Sequence, residues 1–192
     1  SAGRIVAQKL SEAWRQPVIV ENRPGAGGQA GTAAVAGSEP DGYTLLVQSS
    51  AHAANPALYK SLPYDPLRDL VDIALLGKMP YVMVTAASGP YQSLRQLIEG
   101  AQVRHGRIAF ASAGTGTSTH LAAEYLVDLA DMRMRHVPFK GSPEALRDVL
   151  GGRSAFYMTP MDAAGMRLLK ARKLIALGVS TRARTEALPG VQ

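Results

Sequence analysis

The sequence contains no cysteine, which excludes disulfides and thiolate metal sites and leaves the redox compartment open. Aromatic residues make up only 6% of the chain. Basic clusters such as Lys170–Arg172–Lys173 and Arg182–Arg184 are short. A nucleic-acid surface calls for denser basic patches with interleaved aromatics, so no nucleic-acid partner is expected. No apolar run approaches the roughly 18 residues of a membrane-spanning helix. The opening SAGRIVAQKL also lacks the apolar core and cleavage pattern of a signal peptide.

Catalytic signatures are missing as well. The run Gly114-Thr115-Gly116-Thr117-Ser118 has no lysine where a phosphate-binding P-loop needs one. A GxSxG nucleophile elbow and an HExxH zinc motif do not occur. The four histidines, His52, His105, His120 and His136, show no metal-type spacing. No catalytic residue, metal ligand or cofactor is therefore assigned.

What is present fits a folded globular protein: 192 residues, 46% hydrophobic, 19% charged, with a net charge of +6. That length suffices for one large domain or two small lobes. The positive field would draw small anions toward a cleft.

Along the chain, helical periodicity opens with Ile5, Val6, Leu10, Ala13 and Trp14, and Pro17 stops it. Short strands are predicted at Val18–Val20, Tyr43–Val47 and Val71–Leu76, and a small-residue helix at Gln29–Ala36. Pro56 is predicted to start a short helix after a polar loop from Gln48 to Asn55. Further strands are predicted at Tyr81–Thr85, Arg135–Val137, Ala155–Met158 and Leu174–Val179. Helices are predicted after Ser93, from Ser142 to Leu150 with Ser142 as cap, and from Met161 to Arg172. Alternation of this kind predicts an α/β fold with a mainly parallel sheet in each of two lobes, residues 1–82 and 83–192. The first lobe is short of strands.

The most informative stretch is Ile108–His120, IAFASAGTGTSTH, in which a strand empties into a Gly/Ser/Thr loop that opens a helix. Backbone N–H groups and hydroxyls at a helix N-terminus suit an anion. Thr115, Thr117 and Ser118 are the leading candidates. His120 could donate to a ligand or cap locally, Lys140 could supply positive charge, and Asp162 could orient a ligand amine or cap a helix. Loops at Gln48–Asn55, Phe139–Ser142 and Thr159–Asp162 fall at further strand ends, where open α/β sheets bind ligands.

Six ordered motifs carry a family resemblance. They are Val20 to Gly28 (VENRPGAGG), Pro40 to Leu46 (PDGYTLL), Asn55 to Tyr59 (NPALY), Leu62 to Pro66 (LPYDP), Ala111 to Gly116 with His120-Leu121-Ala122, and His136 to Ser142 (HVPFKGS). In this order the chain closely resembles the Bug receptors, periplasmic substrate-binding proteins of tripartite tricarboxylate transporters.

The resemblance implies a two-lobed periplasmic-binding-protein fold. It also implies a non-enzymatic receptor that closes on a small carboxylate: a dicarboxylate, tricarboxylate, acidic amino acid or aromatic acid. Its partners would be that organic acid and membrane transporter subunits or a sensor, and it would act as a periplasmic monomer. Residues carried over to the site are Ser49 and Ser50, then Thr115, Gly116, Thr117 and Ser118, with Lys140 and Thr159 at further strand ends. Family members begin with a strand and a ligand-gripping loop before the first helix, and continue past Leu188-Pro189-Gly190-Val191. The first lobe is accordingly expected to lack its first strand and its C-terminal completion. Two alternatives stay open: an α/β enzyme binding a phosphate ester at the Gly114 loop with His120 as its base, and a truncated receptor acting through protein contacts.

Overall fold

The computed structural model describes residues 2–104, 106–160 and 162–191. The chain divides into two compact units, Ser1–Lys78 and Met79–Gln192, so that the strand beginning at Tyr81 lies whole within the second.

Among the described residues the first unit contains three α-helices: α1 (Ala2–Trp14), α2 (Gln29–Ala36), entered through a 3-10 turn at Ala26–Gly28, and α3 (Ala51–Leu58). The hydroxyl of Ser11 donates to the Ala7 carbonyl at 2.8 Å and accepts the Val18 N–H at 2.9 Å, tying the chain that leaves α1 back onto its last turns. Pro56 sits inside α3 rather than at its start. Its missing N–H forgoes one helical bond, but α3 is fixed by packing. Asn55 is fully buried, with Nδ2 donating to the Tyr64 hydroxyl at 3.3 Å, and the His52 ring stacks on Tyr64.

The strands predicted at 18–20, 43–47 and 71–76 do not form, and no sheet is found in this unit among the described residues. A strand exists only through the hydrogen bonds of a neighbour, and a β-type sequence alone cannot supply them. None of these segments pairs with another here. Ile19, Tyr43, Val71, Ile73 and Leu75 are each more than three-quarters exposed.

The second unit is a three-layer α/β/α sandwich. Its elements are β1 (Tyr81–Ala86), α4 (Leu94–Val103), β2 (Ala109–Ser112), α5 (Ser118–Leu129), β3 (Arg135–Pro138), α6 (Ser142–Leu150), β4 (Phe156–Pro160), α7 (Ala163–Lys170) and β5 (Leu174–Val179). The strand order is β3-β2-β4-β1-β5. Strand β2 runs parallel to β3 and β4, whereas β1 is antiparallel to both of its neighbours, β4 and β5. The sheet is thus mixed, with four strands pointing one way and β1 against them.

Alternate residues of the strands feed two cores. On one face Phe110, Phe156, Met83 and Met158 pack with Leu97 and Ala101 of α4 and Ala123 and Val127 of α5. On the other, Val82, Val84, Ala111, Tyr157 and Leu174 meet Ala145, Leu146 and Val149 of α6, with Leu168 and Leu169 of α7 packed against them. The central strands are buried on both faces, which is why β1 and β4 read as almost unbroken apolar runs.

Helix starts follow the sequence in most places. Ser93 accepts the Gln96 N–H at 3.2 Å, and Asp162 accepts the N–H groups of Ala164 and Gly165. Asp162 therefore caps α7, which begins at Ala163; the Met161 at which that helix was expected to begin lies outside the described residues. Ser142 does not cap α6. The N-cap is Gly141, and Ser142 is the first helical residue. Glu144 takes over at that end, its carboxylate accepting the Lys140 N–H at 3.0 Å.

Candidate ligand-binding edge

The strand directions place the carboxyl ends of β2, β3, β4 and β5, and the amino end of β1, along one edge of the sheet. The loops 113–117 and 139–141, with Asp162 after β4, therefore emerge side by side. Ser180 and Tyr81 close the row, exchanging bonds at 2.8 and 2.9 Å.

The Gly114 loop is held by its own donors. Its Ala113 N–H donates to the Thr119 hydroxyl at 2.9 Å, and its Gly114 N–H donates to the Ser112 hydroxyl at 3.1 Å. Gly116 N–H donates to Nδ1 of His120 at 3.2 Å, and the Thr117 N–H to the Gly114 carbonyl at 3.2 Å. The Thr117 hydroxyl donates to the Gly114 carbonyl at 2.7 Å and, as N-cap of α5, accepts the His120 N–H at 3.4 Å. Gly114 has φ 129°, and a Cβ there would lie 3.2 Å from the Phe139 carbonyl. A side chain at 114 would thus push apart the loops after β2 and β3.

What remains uncommitted among the described residues is the N–H and hydroxyl of Thr115, which is exposed. The half-buried Ser118 likewise keeps both groups, and with the Thr119 N–H these open the first turn of α5. Thr117 and Gly116 shape the loop, and the donors of Thr115 and Ser118 have no partner among the described residues. Lys140 is exposed after β3, and its ammonium makes no ion pair among the described residues. Thr159 is only 2% exposed, its hydroxyl turned onto the Pro160 carbonyl and packed under α7 at Gly165. The structure brings Thr115–Ser118, Lys140 and Thr159 to one edge, with Thr159 beneath the surface.

Ser49 and Ser50 belong to the first unit. Ser49 N–H donates to the Gln48 side-chain carbonyl at 2.8 Å, and Gln48 Nε2 donates in turn to the Gly28 carbonyl at 3.2 Å. Ser50 is the N-cap residue of α3, but its hydroxyl makes no capping bond.

Sequence reasoning passed over three groups. Tyr157, fully buried in β4, donates its hydroxyl to Ser142 at 2.7 Å. Burial pushes this phenol up to about 12, against smaller opposing effects from the Ser142 and Thr119 hydroxyls. Its signal was a lone phenol in an otherwise apolar run. Ser112 ends β2 and is fully buried. His136 in β3 lies with Nε2 2.6 Å from the Ser112 hydroxyl, and its ring stacks on His120 at 4.0 Å between centroids. Burial, then the adjacent His120, lower His136 to about 4.

Contrary to the reading of the histidine spacings, His120, Glu124 and His136 gather with ligand-type atoms within 4.8 Å of one another. The two rings are only 26° from parallel, so their lone pairs project in separate planes and do not converge on an ion. Nδ1 of His120 already accepts a hydrogen bond, and its Nε2 faces Glu124 at 3.3 Å.

Comparison with known proteins gives this edge a context. The family model for the tripartite tricarboxylate transporter family receptor matches residues 2–192. The chain belongs to this family. It is 37% identical to protein BugT of Bordetella pertussis over 190 residues, which is 98% of this chain and 58% of BugT. MatC from Rhodopseudomonas palustris, solved with bound malate, superposes with a TM-score of 0.90 at 27% identity, over 99% of this chain and 65% of MatC. R. palustris Rpa4515, solved with adipate, gives a TM-score of 0.88 at 29% identity, over 99% of this chain and 66% of that protein. The chain thus spans little more than half of BugT and about two-thirds of the two solved proteins.

Proposed function

We propose that the chain belongs to a periplasmic solute receptor that captures a small organic carboxylate, with a dicarboxylate as the first candidate, and that it is not an enzyme. One observation carries this reading. The Gly114 loop consumes most of its own donors and leaves those of Thr115 and Ser118 at the positive end of α5. Such donors bind a carboxylate oxygen without a formal counter-charge. Lys140, on the neighbouring loop, supplies long-range attraction. The malate and adipate held by two structurally similar proteins support the same solute class. Ser50, with its unspent hydroxyl, is the first unit's candidate donor. The captured solute would pass to membrane transporter subunits or a sensor, the receptor acting as a monomer.

The phosphate-ester enzyme is disfavoured by a specific contact. His120 was its one candidate base, and that ring is committed at Nδ1 to Gly116 and turned at Nε2 toward Glu124. A base must reach the proton it removes, and both nitrogens of this one already have partners within the protein.

Thermal-shift titration against malate, adipate, acidic amino acids, nicotinate and sugar phosphates tests the reading. Stabilisation by a carboxylate, with no loss of that compound over time, is the expected result. A preference for the phosphate esters, or turnover of any compound, would overturn it. A flat response across the whole panel would favour a chain acting through protein contacts.

A further inference from the structure

The stacked histidines have no part in the donor set just described, yet both touch the loop that carries it. The N–H groups of Gly114 and Gly116 flank Thr115 on either side. Gly116 donates directly to Nδ1 of His120 at 3.2 Å, a bond that exists only while that nitrogen carries no proton. Gly114 donates to the Ser112 hydroxyl at 3.1 Å, and the same hydroxyl lies 2.6 Å from Nε2 of His136. Ser112 is fully buried, and its own proton has no other acceptor among the described residues. It is therefore satisfied when it donates to an unprotonated His136 Nε2.

The Gly116 anchor thus ends directly on an imidazole lone pair, and the Gly114 anchor ends on a hydroxyl whose own proton needs one. The two rings stack 4.0 Å apart, so a charge on one opposes a charge on the other. We propose that His120 and His136 are positioning residues that hold the Gly114–Ser118 loop in its donor-presenting shape only while both rings are uncharged. Solute capture at this loop then weakens as the pair takes up protons. This inference rests on the carboxylate reading of the same loop.

The groups facing the pair fix the sign. Helix α5 contributes His120 and Glu124, the latter 3.3 Å from Nε2 of His120 and well placed to offset a charge there. Strand β2 contributes only uncharged neighbours, Ser112 and Phe110, whose ring stacks on His136 at 5.1 Å. Strand β3 is one of the two edge strands of the sheet, so β2 alone pairs with it. A bare imidazolium would attract a carboxylate, but Glu124 counters that attraction. The lost Gly116 bond, together with a buried Ser112 proton left without its acceptor beneath Gly114, then dominates, and affinity falls with acid. The low proton affinity of His136, about 4, agrees with a ring kept neutral by its surroundings.

The test has a ligand-free arm and a ligand arm. In the free protein, ring nitrogen shifts should show Nδ1 of His120 and Nε2 of His136 unprotonated at neutral pH. The Gly114 and Gly116 amide resonances should then move together with the ring titrations. The opposite tautomers, or glycine amides that stay still while the rings titrate, would overturn the proposal. In the ligand arm, malate and adipate are titrated from pH 8 to pH 4 into the parent and into a His120→Asn/His136→Gln double variant. The amide oxygens of that variant can accept the same bonds without titrating. Protonation of the solute itself affects both proteins equally, so the parent should lose about tenfold more affinity than the variant, the worth of one hydrogen bond. Equal losses, or a parent that binds more tightly in acid, would contradict it. Failure of malate and adipate to bind the parent at pH 8 would overturn the ligand reading alone, and the ligand-free resonances would still decide the positioning role.

Discussion

Gly28 and Gln48 compete for one place: a Cβ on Gly28 would overlap the side-chain amide of Gln48, which donates to the Gly28 carbonyl at 3.2 Å. Gly28 also has φ 95°, a conformation costly for any residue with a Cβ. The glycine-rich NRPGAGG motif and the Gln48-Ser49-Ser50 turn, far apart in sequence, are therefore one structural feature. Gly28→Ala should destabilise the protein by about 2–3 kcal/mol through backbone strain and the displaced amide. Urea unfolding of the variant measures this, and a midpoint equal to that of the parent would contradict the assignment.

Thr117 is the N-cap of α5 and also the donor that closes the loop on the Gly114 carbonyl at 2.7 Å. Thr117→Ala should lower stability by about 1 kcal/mol, the usual worth of a cap, while Thr117→Ser should leave it nearly intact. Thermal unfolding of the two variants side by side checks the distinction.

His136 makes stability depend on pH in a definite direction. Its folded-state value of about 4 lies below the ordinary 6.5, so at pH 7 and above neither the folded nor the unfolded chain charges this ring. As pH falls below 6.5 the unfolded chain binds a proton that the folded one refuses, and stability declines until the pH reaches about 4. Carboxylates titrate in the same window, so the informative quantity is the difference between the parent and His136→Gln. The variant's melting temperature should fall less steeply with acid between pH 6.5 and pH 4. Parallel curves would remove His136 from the account.

Tyr157 acts at the other end of the scale. Its phenol is held to about 12, so above pH 10 the unfolded chain gives up a proton that the folded one keeps, and alkaline stability falls. Tyr157→Phe should lose about 1 kcal/mol at neutral pH, the hydrogen bond to Ser142. The gap should close as the pH rises past 10, which denaturation of both proteins across that range would show.

Most of the second unit was legible in the sequence because its elements are defined locally. Ser93 and Asp162 cap the helices they precede, and β1, β2, β4 and β5 lie on apolar runs. The direction of β1 was not legible, since periodicity carries no strand polarity. The first unit misled at Val18–Val20, Tyr43–Val47 and Val71–Leu76 for the same reason in stronger form. β-type residues mark where a strand could form, and the partner that makes it one is not a local property. At the site, the run of glycines and hydroxyls from Gly114 to Ser118 was correctly singled out as a loop opening a helix. The sequence could not apportion its groups, however. That Thr117 spends its hydroxyl inside the loop while Thr115 does not depends on the glycine dihedral angles. The approach of His136 to Ser112 depends on the parallel pairing of β2 with β3.

The central claim is that Thr115 and Ser118 hold a solute carboxylate, and calorimetric titration of malate and adipate into the parent and into Thr115→Ala/Ser118→Ala tests it most directly. The account predicts measurable binding to the parent, a loss of about 1–3 kcal/mol in the double variant for hydrogen bonds to a charged group, and equal melting temperatures for the two proteins without solute. Unchanged affinity in the double variant would place the carboxylate elsewhere and contradict the account.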